Sequence, residues 1–129
     1  MMRRYVIDTD VLIWVLRRNE DAVRWVETTA QSGTLACSVL TVAEILRLIR
    51  DHELPRARRF FETVDVVPVT YEDAIKAAEL MRNRGPGLVD CHIAAAAMRL
   101  HAIIVTYNRQ DFRRTGVPLA DPPSEPEGG

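Results

Sequence analysis

Four acidic residues stand at positions from which their side chains could act together: Asp8, Glu44, Asp90 and Asp111. Carboxylates that converge repel one another and resist joint ionisation. A hard divalent cation relieves that repulsion, and Mg²⁺ takes few carboxylates while keeping water and phosphate oxygens in its other positions. Because such an ion also activates water and offsets the charge that builds on a phosphoryl group, the four acids indicate phosphodiester hydrolysis.

The elements that must position these acids follow from short apolar runs that alternate with helical patterns. Strands are predicted at 5–7, 34–37, 64–69 and 103–105, with a further short one at 119–120. Helices are predicted at 10–17, 19–31, 55–62, 71–84 and 89–101. A further helix begins at Ser38 or Thr41 and carries its apolar stripe to Ile49. This alternation predicts the α/β class, a three-layer α/β/α domain around a parallel sheet of four or five short strands.

A parallel sheet of this kind binds its ligands in the crevice at the carboxyl ends of its strands. Asp8 directly follows the first predicted strand, and Asp111 lies six residues beyond Val105, the end of another. Glu44 and Asp90 come early in helices, and a helix that follows a strand begins at the edge where that strand ended. We therefore expect all four carboxylates to face one rim of the sheet.

Each acid also has a purely structural interpretation. Asp8 suits the N-cap of the first helix, and Thr41 followed three residues later by Glu44 fits a capping box. Asp90 in a first helical turn would complement the helix dipole, and Asp111 would cap a turn. Taken one at a time, these interpretations stay open, and only the residues around each acid separate them from catalysis.

Charge is unevenly distributed along the 129 residues, a length that suits one domain. Residues 121–129 are rich in proline, glycine and acid, so we predict a domain of residues 1–120 followed by a disordered tail. The net charge of the chain is −1, but residues 1–120 carry 17 basic and 15 acidic side chains, a net of +2. Sixteen of the 17 basic residues are arginine, a good phosphate ligand, although a GC-rich genome would produce the same bias.

Several classes of protein are disfavoured by what the sequence lacks. No apolar run approaches the roughly 20 residues that cross a bilayer, and acids interrupt any leader, so a cytoplasmic protein without membrane contact is expected. Cys37 and Cys91 are then expected as free thiols, and without a paired histidine spacing they do not predict zinc. The sequence contains no glycine-rich phosphate loop and no serine nucleophile elbow.

The segments around the four acids resemble the motifs of the PIN domain, specifically of its VapC-like ribonuclease toxin branch. They are YVIDTDVLI at 5–13, SVLTVAEIL at 38–46, LVDCHIAAAA at 88–97 and VTYNRQDF at 105–112. Residues 115–117, TGV, follow the last motif as they often do in this family. The resemblance covers residues 3 to about 120, with the four motifs in the family's order and spacing.

The resemblance implies a metal-dependent endoribonuclease, the toxin of a VapBC-type toxin–antitoxin pair, which forms a homodimer and is bound by a VapB-like antitoxin. The four acids would hold one or two Mg²⁺ or Mn²⁺ ions, and Thr106 and Asn108 would orient a metal-bound water or a phosphate. The candidates for contact with the RNA backbone are arginines, each of which is also interpretable as a solvated surface residue: Arg82, Arg84, Arg109, Arg113 and Arg114.

A few positions depart from the family pattern. Asp10 stands where asparagine is common, which either adds a carboxylate near the metal or changes nothing. Asn108 stands where an aspartate is frequent, which leaves the last carboxylate to Asp111. Cys91 and His92 replace the usual small and apolar residues after the third acid.

Other functions compete with this interpretation. A receiver-like signalling domain also gathers acids around Mg²⁺, but it needs a lysine after a late strand, and the sole lysine, Lys76, lies within a predicted helix. An inactive PIN scaffold or binding module is disfavoured because all four acids are intact. A housekeeping PIN nuclease of RNA maturation is compatible with the sequence.

Overall fold

The computed structural model describes residues 2–83 and 85–127, which form four strands and seven α-helices. The strands are β1 (Arg3–Ile7), β2 (Gly33–Ser38), β3 (Asp65–Val67) and β4 (Ile103–Val105). The helices are α1 (Thr9–Leu16), α2 (Glu20–Ala30), α3 (Val39–Leu48), α4 (Leu54–Phe61), α5 (Tyr71–Arg82), α6 (Leu88–Leu100) and α7 (Arg109–Arg113). Within these described ranges, no helix has the length and hydropathy of a membrane-spanning segment.

All four strands are parallel, and their order across the sheet is β3-β2-β1-β4. β1 therefore lies inside the sheet, and its last residue, Ile7, pairs with Val105 at the end of β4. A backbone bridge between Ile104 and Leu119 continues the sheet beyond β4, at the position of the predicted fifth strand. The predicted α/β class and its parallel sheet of four or five strands are confirmed.

Helices cover both faces of the sheet because successive residues of a strand point to opposite sides. Val6 and Ile104 belong to a core cluster with α6, whereas their neighbours Ile7 and Val105 pack in a second cluster with α1 and α3. Full burial of one such side chain stabilises the fold by about 1.5–3 kcal/mol. This packing fixes the carboxyl ends of β1 and β4, which the candidate site adjoins.

Some predicted boundaries shift for local reasons. β3 holds three residues instead of the predicted 64–69, since the strand ends before Pro68, which has no backbone N–H to pair. Helix α2 begins at Glu20 because the side chain of Asn19 accepts a hydrogen bond from the N–H of Ala22 at 3.1 Å. The region predicted as a turn around Asp111 forms the short helix α7.

An ion pair fastens α5 to α6, the helix that carries Asp90. Arg99 donates to both carboxylate oxygens of Asp73, each at 3.0 Å, and also to the carbonyl of Pro68 at 3.2 Å. Burial raises the pKa of Asp73, but the hydrogen bonds from Arg99 and Thr70 outweigh it and leave that pKa below its ordinary value. The C-terminal half of α6 is thereby held against the N-terminus of α5.

The part of the predicted tail that the structure describes touches the domain. Trp25 Nε1 donates to the carbonyl of Asp121 at 3.1 Å, the Tyr107 hydroxyl donates to that of Ser124 at 3.3 Å, and Pro123 is buried. The last two residues, 128 and 129, lie outside the described ranges. The division into a domain of residues 1–120 and a disordered tail stays a prediction.

Candidate active site

Asp8 lies at the end of β1 and forms the N-cap of α1. The N–H of Thr9 donates to its Oδ1 at 2.9 Å, and the hydroxyl of Thr106 donates to its Oδ2 at 2.8 Å. Burial, followed by the charge of Asp10, raises the pKa of Asp8 to about 6 in spite of these hydrogen bonds. Asp8 is therefore a helix cap, as one interpretation holds, and is also close to other acids.

Asp90 occupies the first turn of α6 and is half-buried. Burial is the largest cause that raises its pKa to about 6, and the charges of Asp8, Glu44 and Asp111 raise it further. Carboxylates raise one another's pKa when they lie near one another. The structure thus brings the four acids predicted from the sequence to one site.

Glu44 faces α1 and takes no part in capping its own helix. The Thr9 hydroxyl donates to Glu44 Oε1 at 2.6 Å. Helix α3 begins after Ser38, whose hydroxyl accepts from the N–H of Leu40 at 3.1 Å. Thr41 lies buried inside the helix, and its hydroxyl has no partner among the described residues. The capping-box interpretation of Glu44 is wrong because the helix starts at Ser38, the earlier of the two predicted caps.

The loop after β4 supplies Thr106 and Asn108, and the short helix α7 that follows it supplies Asp111. Thr106 is fully buried, and its hydroxyl accepts from the N–H of Asn108 at 3.0 Å while donating to Asp8. The amide of Asn108 donates from Nδ2 to Asp111 Oδ2 at 3.1 Å. Thr106 and Asn108 therefore contact carboxylates directly, and each fixes the orientation of one acid.

Asp10 adds a fifth carboxylate beside the four. Its oxygens lie 3.4 Å from the Thr106 hydroxyl and from the N–H of Tyr107. Burial is the main cause that raises the pKa of Asp10, and hydrogen bonds from the Thr106–Asn108 loop work in the opposite direction. The charge of Asp10 in turn raises the pKa of Asp8. The aspartate thus adds a negative charge to this site that an asparagine would not.

The role of Thr9, which holds the carboxylate of Glu44, was not predicted from the sequence. Its hydroxyl links residues 35 positions apart, a contact that no local pattern of residues reveals. The available signal was its position, since a threonine directly after the first acid enters α1 at the rim where the acids were expected to meet.

The candidate RNA-binding arginines are placed differently from one another. Arg82, Arg113 and Arg114 are exposed. Arg109 is only partly exposed, and its Nη1 pairs with Asp121 Oδ1 at 2.9 Å. Arg84 lies outside the described residues. Three of the five thus belong to α7 or its C-terminal cap, the helix that also carries Asp111: Arg109, Arg113 and Arg114.

The donor atoms that meet at this site are carboxylate and hydroxyl oxygens, which suit a hard divalent cation. The buried thiol of Cys91 does not join them, because it donates to the carbonyl of Pro86 at 3.0 Å. Among the described residues, no three acidic, histidine or cysteine side chains are already arranged around a common ion position. The residues fit such a cation by donor type and charge, and the side chains would have to draw closer to coordinate it.

The family model of the PIN domain matches residues 5–118, and the chain belongs to this family. Among curated proteins, the chain is similar to Ribonuclease VapC10 of Mycobacterium tuberculosis. The two are 34% identical over 97 residues, which cover 71% of this chain and 73% of that protein.

Solved structures share the fold. VapBC2 from Rickettsia felis, bound to a DNA fragment from its promoter, matches with a TM-score of 0.80 at 19% identity, covering 91% of this chain and 97% of that one. DNA-bound VapBC from Salmonella typhimurium matches with a TM-score of 0.78 at 20% identity, covering 94% and 98%. At these identities the likeness concerns the fold alone, and the curated relative makes the chain a homologue of the VapC ribonucleases.

Proposed function

We propose that this chain is a metal-dependent endoribonuclease that hydrolyses RNA phosphodiester bonds. The observation that carries the proposal is the convergence of acids from four separate elements, where like charges repel. Thr9 holds Glu44 at the start of α1, and Thr106 holds Asp8. Burial raises the pKa of Asp90, and the charges of Asp8, Glu44 and Asp111 raise it further. Such repulsion destabilises a fold unless a cation offsets it. The similarity to a protein named as a ribonuclease supports RNA as the substrate.

The four acids would hold Mg²⁺ or Mn²⁺, which prefer oxygen donors of this kind. When bound, the ion would lower the pKa of a coordinated water and offset charge on the phosphoryl oxygens. Asp8 and Asp90 both have a pKa of about 6, so a fraction of each is protonated just below neutral pH. Binding of the ion would release those protons and favour the ionised carboxylates.

Thr106 and Asn108 were predicted to orient a metal-bound water or a phosphate, and we propose that they do so indirectly, by holding the acids. The proton of the Thr106 hydroxyl is directed to Asp8, and the Asn108 amide is directed to Asp111. Thr9 holds Glu44 in the same way. These three residues therefore serve as positioning residues that keep the carboxylates oriented while phosphate approaches.

The exposed arginines beside Asp111 would bind the RNA backbone. Arg113 and Arg114 follow the acid within one turn and are exposed, so their guanidinium groups can reach phosphates near the site. Arg82 is exposed at the end of α5, further from the acids along the chain. Arg109 is already paired with Asp121 and is the least available of the described candidates.

The protein would act as the toxin of a toxin–antitoxin pair, as the VapBC assemblies that share its fold suggest. The antitoxin would place a basic side chain among Asp8, Asp90 and Asp111, where it offsets the same repulsion as a cation. An apolar groove of about 270 Å³ lies between α1, α2 and α4, lined in part by Val15, Leu16, Val23, Val26 and Phe60. A segment that folds on binding would bury its apolar residues there.

A homodimer would cover apolar side chains that the monomer exposes. Ile75 and Met81 on α5 are 47% and 42% exposed, and Leu88, two residues before Asp90, is 60% exposed. Exposed apolar side chains of this size suit a protein–protein interface. A dimer formed through it would bring a second copy close to the acids.

Since the proposed substrate is cellular RNA, the dimer would work in the cytoplasm.

The proposal is tested by expressing the chain alone and together with the open reading frame immediately upstream of its gene. We expect expression alone to arrest bacterial growth and the upstream frame to restore it. Purified protein should cleave single-stranded or loop RNA with Mg²⁺ or Mn²⁺ and lose this activity in EDTA. Cleavage without toxicity in its own host would favour a housekeeping nuclease, and folded protein without cleavage would favour an inactive scaffold.

A further inference from the structure

Tyr107, in the loop after β4, and Arg109, at the start of α7, contact residues 121–124, which we name the C-terminal segment. The Tyr107 hydroxyl donates to the carbonyl of Ser124 at 3.3 Å, and Arg109 Nη1 donates to the carboxylate of Asp121 at 2.9 Å. The loop is thus held at two points, one on each side of Asn108.

The C-terminal segment is itself anchored to the domain away from that loop. Trp25 Nε1 on α2 donates to the carbonyl of Asp121 at 3.1 Å, and Pro123 is buried. The ring of Trp25 packs edge-on against Tyr5 of β1, with centroids 6.2 Å apart. The C-terminal segment is therefore fixed to α2 and, through Trp25, to the sheet. It can hold the loop in place relative to both.

The residues of the loop alternate in what they contact. Thr106 and Asn108 hold the acids Asp8 and Asp111, whereas the residues after each of them, Tyr107 and Arg109, hold the C-terminal segment. If Tyr107 or Arg109 moved, the residue directly before it, Thr106 or Asn108, would move as well. The carboxylate that this residue orients would then be displaced.

We propose that the C-terminal segment is part of the active site, a positioning segment that braces Tyr107 and Arg109 so that Thr106 and Asn108 keep the acids in register. Its catalytic consequence rests on the proposed ribonuclease function, whereas the bracing itself does not. Asp121 and Ser124 touch neither the acids nor the substrate, and they act only through the loop.

Two features make the loop dependent on this support. The Nε of Arg109 is buried and has no hydrogen-bond partner within the described part of the chain, so the pair with Asp121 is the contact that orients its guanidinium. The Tyr107 backbone holds Asp10 only through a long contact of 3.4 Å. Small displacements of a positioned group can cost about a hundredfold in rate, so modest contacts at this point have large effects.

The C-terminal segment also leads into Glu125. Burial is the main cause that raises the pKa of Asp10 and of Tyr107, and the charge of Glu125 raises both further. Negative charge beside the loop would repel RNA phosphate. If the main effect of the C-terminal segment were this repulsion, the segment would slow cleavage. Bracing and repulsion therefore predict opposite effects of removing the contacts, which separates them by experiment.

The experiment compares full-length variants in which the two contacts are removed together, by Tyr107→Phe and Asp121→Ala, with a matched control, Tyr71→Phe and Glu127→Ala. The control removes the same chemical groups from exposed residues outside the segment. Hydrogen exchange of the amides of residues 106–111 is measured first, followed by single-turnover RNA cleavage with Mn²⁺ and by the melting temperature. Asp121→Glu in an otherwise unaltered chain keeps the carboxylate and serves as the conservative variant.

We expect exchange in residues 106–111 to accelerate about tenfold in the double variant and to be unchanged in the control. Single-turnover cleavage in the double variant should slow about tenfold or more, at an unchanged melting temperature and an unchanged half-saturating RNA concentration. The single variant Asp121→Glu should keep most of the rate. Unchanged exchange would overturn the bracing, and faster cleavage would replace it with the electrostatic barrier. If the unaltered protein does not cleave RNA, the ribonuclease proposal fails while the exchange result still decides the bracing.

Discussion

The hydroxyl of Thr106 donates to Oδ2 of Asp8 at 2.8 Å, across the ends of the adjacent parallel strands β4 and β1. The same hydroxyl accepts the N–H of Asn108 at 3.0 Å. A hydroxyl has one proton to donate, and Asp8 Oδ2 is nearer to Thr106 than the oxygens of Asp10 at 3.4 Å are. Thr106 therefore donates its proton to Asp8. One buried side chain thus ties Asp8 to the loop that leads to Asp111.

Replacing Thr106 by valine removes this hydroxyl at nearly constant volume. We expect single-turnover cleavage to fall by about tenfold to a hundredfold, because Asp8 loses the donor that orients it. The fold should persist at a cost of about 1–3 kcal/mol for the lost buried hydrogen bonds. Thr106→Ser keeps the hydroxyl and should keep most of the activity, and equal rates for the two variants would contradict a positioning role.

Asp111→Ala should reduce cleavage more than Asn108→Ala. Asp111 contributes a charge that Asp90 senses, whereas Asn108 contributes an amide that orients Asp111. Loss of a carboxylate removes a ligand, and loss of the amide only frees one to rotate. The check is the ratio of the two rates at saturating Mn²⁺, and the reverse order would move the last ligand to Asn108.

Much of this arrangement could be predicted from the sequence because it depends on local patterns. Strand ends locate Asp8 and Glu44 on one rim, since parallel strands end at a common edge. The rule does not reach Asp90, because its helix, α6, follows the helix α5 and not a strand. Contacts between distant side chains could not be predicted in this way. Thr9 bonds to Glu44 across 35 positions, and Tyr107 bonds to a segment whose composition predicts disorder.

The capping-box interpretation of Glu44, the alternative to its place in the metal site, is wrong for a specific reason. Thr41 and Glu44 match the spacing of a capping box, yet Ser38 caps the helix three residues earlier, so Thr41 falls within the helix and is buried. A local pattern permitted both starting points. The tertiary contact from Thr9, which the pattern does not contain, determines what Glu44 contacts.

The pKa of Asp90 predicts how stability depends on pH when divalent ions are removed. It is raised from 3.8 to about 6, so the folded state binds this proton more tightly than the unfolded state. The contribution of Asp90 to stability therefore falls as pH rises from about 4 to about 6 and stays low above that. Asp90→Asn removes this loss, and thermal unfolding in EDTA should show the variant more stable at about pH 7.5 and similar at about pH 4.

The expected gain is on the order of 1 kcal/mol, since Asp90 is half-buried and solvent screens its charge. Addition of Mn²⁺ should stabilise the unaltered protein and leave the variant nearly unchanged, because a ligand stabilises only a state that binds it. A variant less stable than the unaltered protein at neutral pH would show that Asp90 serves the helix dipole instead.

Exposed arginines near Asp111 should govern RNA binding without changing the chemical step. Arg113→Ala and Arg114→Ala should each raise the KM for RNA, and the slope of log affinity against log salt should decrease by about 0.7 per lost phosphate contact. Arg58→Ala, an exposed arginine on α4, is the matched control. A slope that is unchanged in both site variants would exclude these residues from the RNA path.

Whether four carboxylates form one metal site for RNA hydrolysis is decided by the variant Asp90→Asn. The variant retains the shape of the side chain and removes the charge that senses the other three acids. The measurement is single-turnover RNA cleavage at saturating Mn²⁺, with titration of Mn²⁺ into both proteins by calorimetry. We predict cleavage slower by at least about a thousandfold and loss of the calorimetric binding signal, in a protein that unfolds cooperatively. Full cleavage with undiminished Mn²⁺ binding in this variant would show that Asp90 does not hold the metal.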